Sequence, residues 1–142
     1  MAGTPILMAD GTEKAIESIV DADRVMAYDL TASTRKSAPV VAVAKPYQVD
    51  HYYVVNGTIR ATGNHPMLSR GQWIEVGQLR VGDPLTAADG SSLPIRSIMR
   101  VDEPVTAYNF EVGELSSYIA HGVVVHNKNL EYELYPCFDC TW

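Results

Sequence analysis

The chain has little cysteine, few large aromatic rings and little positive charge, and it has no long apolar run. Its two cysteines, Cys137 and Cys140, both fall in the last six of 142 residues, so no disulfide framework can hold the rest together. Cys137-Phe138-Asp139-Cys140 has no second cysteine pair or neighbouring histidine pair to complete a four-ligand zinc site, and no βαβ context for thioredoxin-type redox chemistry. No metal or cofactor is expected. Eleven Lys and Arg against 17 Asp and Glu leave a net charge of −6, and the densest basic spot is only Arg35-Lys36. A phosphate backbone would be repelled, so nucleic acid is not an expected partner. No stretch approaches the ~20 consecutive apolar residues of a membrane helix. The opening Met1-Ala2-Gly3-Thr4-Pro5 lacks the basic and apolar regions of a signal peptide, which makes the cytoplasm the default location.

What remains is the composition of a globular domain, 46% hydrophobic and 20% charged, in a length that suits one continuous core. Short β-favouring runs alternate with Gly, Asp, Asn and Pro. Thr4 to Leu7 reads as an edge strand, where Pro5 is tolerable. Glu13 to Ile19 reads as a short amphipathic turn or helix with Ile16 and Ile19 on one side. Arg24 to Asp29 and Val40 to Ala44 read as strands. His51 to Val55 and Thr58 to Thr62 flank Asn56-Gly57, the signature of a type I′ hairpin, and Asp89-Gly90 suggests a second hairpin. Pro94 to Val101, Val105 to Val112 and Tyr118 to Val125 follow as strands. Trp73, Val76 and Leu79 suggest a short helical turn. No long helix and no fixed-period repeat is visible, so the fold class is all-β.

Four segments in order resemble the Hint (hedgehog/intein) family: Ala2 to Thr12; Thr62-Gly63-Asn64-His65-Pro66, with the family's Thr-x-x-His spacing; Trp73 to Leu79 leading into Gly82-Asp83-Pro84-Leu85; and Tyr108 to Val112 followed by Tyr118 to Asn127, ending in His126-Asn127. Each motif alone is weak; their order, their spacing and the apolar run before His-Asn make the combination specific. About 22 residues separate Leu85 from Tyr108, which leaves no room for a homing-endonuclease insert. The resemblance implies a pseudo-two-fold, horseshoe-shaped fold of short curved strands over residues 1–127, with both ends of the module meeting at one site. Residues 128–142 would be a tail, either a cleaved flanking segment or an element that docks a protein partner through Tyr135, Phe138 and Trp142.

The resemblance also implies roles. Thr62 and His65 would support attack on the peptide bond at the start of the module, His65 polarising the amide and Thr62 bonding the developing charge. Asn127 would cyclise onto its own carbonyl and release Lys128, with His126 assisting at near-neutral pH. Asn109 stands where the family often has an aspartate, and an amide cannot act as a base. Ser116 stands where a histidine is often found. No Cys or Ser occurs in the first eleven residues, and Lys128 offers no acyl acceptor. The N-terminal acyl shift and splicing are therefore expected to be lost, leaving at most a single-turnover self-cleavage whose substrate is the flanking polypeptide. The alternative is an inactive Hint fold used as a structural component, for example of a bacteriophage virion. The residues themselves also admit plainer roles: His65 as an ordinary hydrogen-bonded turn histidine, and His126-Asn127 as a strand running into a polar turn.

Overall fold

The computed structural model describes residues 1–127; the tail, with Lys128, Cys137 and Cys140, lies outside the described residues. Sixteen short strands follow one another: β1 (Pro5–Leu7), β2 (Glu13–Ala15), β3 (Arg24–Asp29), β4 (Thr34–Val43), β5 (Tyr47–Val49), β6 (Tyr52–Val55), β7 (Ile59–Ala61), β8 (Pro66–Ser69), β9 (Gln72–Glu75), β10 (Pro84–Thr86), β11 (Ser92–Pro94), β12 (Ile98–Val101), β13 (Val105–Ala107), β14 (Phe110–Val112), β15 (Ser117–Ala120) and β16 (Val123–His126). Single 3-10 turns, Ile16–Ser18 and Val76–Gln78, follow β2 and β9. Among the described residues no helix is long and apolar enough to cross a membrane.

The largest sheet runs β2-β1-β15-β16-β8-β9, and smaller open sheets surround it: β14-β4-β3, β12-β6-β7, β13-β5 and β10-β11. Side chains alternate across a strand. Ile6, Met67, Tyr118, Val123 and Val125 therefore enter the main core on one face of this sheet, with Val25, Leu85 and Phe110. Leu68, Ile119 and Val124 enter a second core with Tyr28 on the other face. Burial on both faces explains why Val123-Val124-Val125 is apolar throughout instead of alternating. Each such side chain contributes about 1.5–3 kcal/mol by leaving water.

An internal two-fold organises the chain, although no repeat is visible in the letters. Ile16 to Val25 and Val76 to Leu85, sixty residues apart, make the same bonds. The N–H of Ile16 donates to the Thr4 carbonyl at 2.9 Å and that of Val76 to the His65 carbonyl at 3.1 Å. Asp23 Oδ2 accepts from the Val20 N–H at 3.0 Å, and Asp83 Oδ2 from the Arg80 N–H at 2.9 Å. Lys14 pairs with Asp23 and Arg70 with Asp83. In this register only Asp23 and Asp83 are identical, so the repeat survives as a hydrogen-bond and burial pattern and not as residue identity. The symmetry reaches further: the Thr4 N–H closes a turn on the Met1 carbonyl, as the His65 N–H does on that of Thr62, both at 3.1 Å.

Both anticipated hairpin turns form. Asn56 and Gly57 have φ of 54° and 73°, the positive values a type I′ turn needs, and the Asp89 carboxylate accepts from the Ser91 N–H at 2.9 Å. Other expectations need correction. β1 is not an edge strand but lies between β2 and β15; Pro5 is accommodated as its first residue, and its carbonyl accepts from the His121 N–H at 3.0 Å. The run from Val105 to Val112 breaks at Tyr108-Asn109. Tyr118 to Val125 is two strands, turned by His121-Gly122 with φ of 51° and 77°. Pro94 to Val101 splits between β11 and β12. β4 starts at Thr34, earlier than Val40, because it pairs along the whole of β3.

Candidate active site

Thr62 and His65 sit in the short loop between β7 and β8. The Thr62 hydroxyl donates to Asn64 Oδ1 at 3.0 Å. The loop is bound to the 3-10 turn after β9, where the Gly77 N–H donates to the Gly63 carbonyl at 2.8 Å and the Val76 N–H donates to that of His65. A Cβ on Gly77 would stand 3.2 Å from the Gly63 oxygen, so a side chain here would press on the loop backbone. The His65 ring meets Tyr118 edge to face, with centroids 6.3 Å apart, and Tyr118 packs on Phe110 at 4.4 Å.

Asn109 occupies the break between β13 and β14. It is buried; its Oδ1 accepts from the Phe110 N–H and its carbonyl from the Ala44 N–H, both at 3.0 Å. Thr62, His65 and Asn109 line one cleft together with Met1, Thr4 and His121. The sequence gives no reason to place Thr4 here, its only signal being its symmetry relation to His65, and His121, which reads in the sequence as a plain strand or turn residue, is a turn residue that also lines the cleft. Burial pushes the His121 imidazole below its ordinary pKa, and the positive charge of Arg60 adds to this. Arg60 also reaches the first turn, donating to the Ala2 carbonyl at 3.0 Å.

His126 and Asn127 do not line that cleft. Strand alternation explains the separation. Val125 faces the cleft, so His126 points to the opposite face, where its ring meets Trp73 at 4.9 Å and 80°. Asn127 is buried beyond the end of β16. Its N–H donates to the Ser116 carbonyl at 2.9 Å, and its Oδ1 accepts from the Val112 N–H at 3.3 Å. Val125 pairs with Met67, so the end of β16 runs beside the start of β8, the strand that follows the His65 loop.

His126 Nδ1 bonds the main-chain carbonyl oxygen of Asn127. A carbonyl only accepts, so Nδ1 carries the hydrogen. Burial holds this imidazole below its ordinary pKa against the opposing effect of that bond, so the ring is neutral at physiological pH. Among the described residues no group of three or more His, Cys, Asp or Glu side chains stands close enough to hold a metal.

An open all-β fold with an internal two-fold, a Thr-x-x-His loop and a closing His-Asn defines a Hint-type domain. The chain belongs to the Pretoxin HINT domain family, which it matches over residues 6–129. Among solved structures it is similar to a bacterial intein-like domain from Clostridium thermocellum, with 30% identity and a TM-score of 0.80, covering 89% of this chain and 96% of that one. It shares its fold with a DnaB intein from Synechocystis sp. PCC 6803 (19% identity, TM-score 0.76, 91% and 98% covered). The gp41-1 intein is a further fold match (19% identity, TM-score 0.72, 87% and 94% covered). No curated protein matches the chain in sequence.

Proposed function

We propose that this chain is a single-turnover autoprocessing module that cuts its own backbone after Asn127. The Asn127 side-chain nitrogen attacks its own main-chain carbonyl carbon. That N–C bond forms, the C–N bond to Lys128 breaks, and one amide proton ends on the Lys128 amine. The product is a succinimide at residue 127, and no water is consumed. The observation that carries this reading is the bond from His126 Nδ1 to the carbonyl under attack. The same donor stabilises the oxyanion as it forms; in other enzymes removing one such donor slows the reaction about 10²–10³-fold. The Val112 N–H on Oδ1 fixes the plane of the attacking carboxamide. Relatives named as an intein-like domain and as inteins support the reading.

Thr62 and His65 take the place of groups that act on a peptide amide at the start of the module. Asn109 carries an amide, which is no base, so the groups around Thr62 and His65 offer no carboxylate to assist that step. A second reading, a non-catalytic Hint fold serving in assembly, is favoured by Asn109, whose carbonyl and side chain both bond backbone N–H groups. Incubating the purified chain for days and measuring its intact mass separates the two. Loss of residues 128–142, blocked in Asn127→Ala, supports autoprocessing; a constant mass supports the assembly role.

A further inference from the structure

We propose that Trp73 is a positioning residue for His126, holding its imidazole on the Asn127 carbonyl; the inference rests on the cleavage reading above. Trp73 lies on β9, two strands from β16. Leu68 pairs with Trp73, and Val125 with Met67, so Val124, Leu68 and Trp73 form one row across three strands on the face opposite the cleft. Val124 and Leu68 belong to the second core, and the half-buried Trp73 packs against it. His126 stands on the same face of β16 as Val124, next to that row, and the Trp73 ring meets it at 4.9 Å and 80°. The indole thus packs against the second core and also meets the imidazole edge-on.

The contact supplies what the chemistry lacks. A histidine at the end of a strand has several staggered rotamers open to it, and only one places Nδ1 on the next residue's carbonyl. The indole removes the others. It also covers part of the ring that would otherwise face water, which strengthens the single bond to the oxygen where charge develops. Trp73 touches neither reacting atom and acts through His126.

Two measurements test this. The first compares the rate of tail release, by intact mass, in the parent chain, Trp73→Phe and Trp73→Ala, each shown folded by its thermal transition. Trp73→Ala should slow release about ten- to a hundred-fold, and Trp73→Phe should restore most of the rate. Folded Trp73→Ala releasing its tail at the parent rate, or Trp73→Phe no faster than Trp73→Ala, would overturn the inference. The second does not depend on cleavage. In an Asn127→Ala background, NMR should show the His126 ring protons displaced by the indole ring current, and Trp73→Ala should return them to ordinary values with averaged rotamers. Unchanged His126 resonances would overturn the positioning role even in a chain that never cleaves. A parent chain that keeps its tail while these resonances respond would overturn the cleavage reading alone.

Discussion

The backbone N–H of Val112 donates to the side-chain oxygen of Asn127 at 3.3 Å, so the end of β14 is joined to the residue after β16 by the very amide proposed to react. Both residues are buried. Replacing Asn127 by alanine leaves that N–H without its partner inside the protein. Asn127→Ala should therefore lose about 1–3 kcal/mol of stability as well as any cleavage. Urea unfolding measures it, and a stability equal to the parent's would contradict the bond's role.

The internal two-fold predicts matched effects at matched positions. Asp23 and Asp83 each accept a backbone N–H three residues back and pair with a basic side chain from the preceding hairpin. Asp23→Ala and Asp83→Ala should lower Tm by similar amounts, and the two losses should add, because the sites share no partner. Calorimetry of the single and double variants tests this. One variant without effect would break the equivalence.

Acid should destabilise the fold in two stages. Burial lowers the pKa of His121 and His126 from 6.5, so the unfolded chain binds protons that the folded chain refuses. Stability is complete above about 6.5 and falls as the pH drops from there towards the depressed folded values. Asp10, Asp23, Asp83 and Asp89, held below their ordinary 3.8 by hydrogen bonds from neighbouring groups, lose their contributions only at still lower pH. Tm should already decline between pH 7 and 5, and His121→Gln with His126→Gln should flatten that part of the profile. A Tm that stays level from pH 7 to 5 in the parent would contradict the burial of these rings.

Gly77 guards the Thr62–His65 loop. An added methyl would press on the Gly63 carbonyl at 3.2 Å, and the neighbour that must move is backbone. Gly77→Ala should cost about 1–3 kcal/mol and disturb the His65 environment, visible as a shifted His65 ring resonance. An unchanged resonance and an unchanged Tm would show that the loop has slack.

The turns were legible in the sequence because Asn56-Gly57 and Asp89-Gly90 are residue types that themselves favour the turn, glycine by lacking a Cβ and Asn or Asp by a short polar side chain. The breaks at Asn109 and at His121-Gly122 were not, since β-favouring residues on both sides read as one continuous strand. The two-fold was implied by the family resemblance and not by any repeat in the residues: backbone bonds and apolar spacing define it, and nine of its ten positions differ in residue type. The same limit applies to the site. His126 and Asn127 are neighbours in the chain, so their bond needs little folding. The gathering of Thr62, His65 and Asn109 in one cleft, and of Trp73 on His126, depends on strand register that composition does not carry. The alternation that sends His126 to the opposite face from His65 follows from the closing strand's period, once its end at His126 is known.

The most direct measurement is the intact mass of the full-length chain over time beside its His126→Ala variant. The account predicts that the parent sheds residues 128–142 and leaves a succinimide at residue 127, about 18 Da below the hydrolysed product, while His126→Ala does so about 10²–10³ times more slowly. A parent mass that holds constant for days in a folded sample, or equal rates in the two proteins, would contradict it.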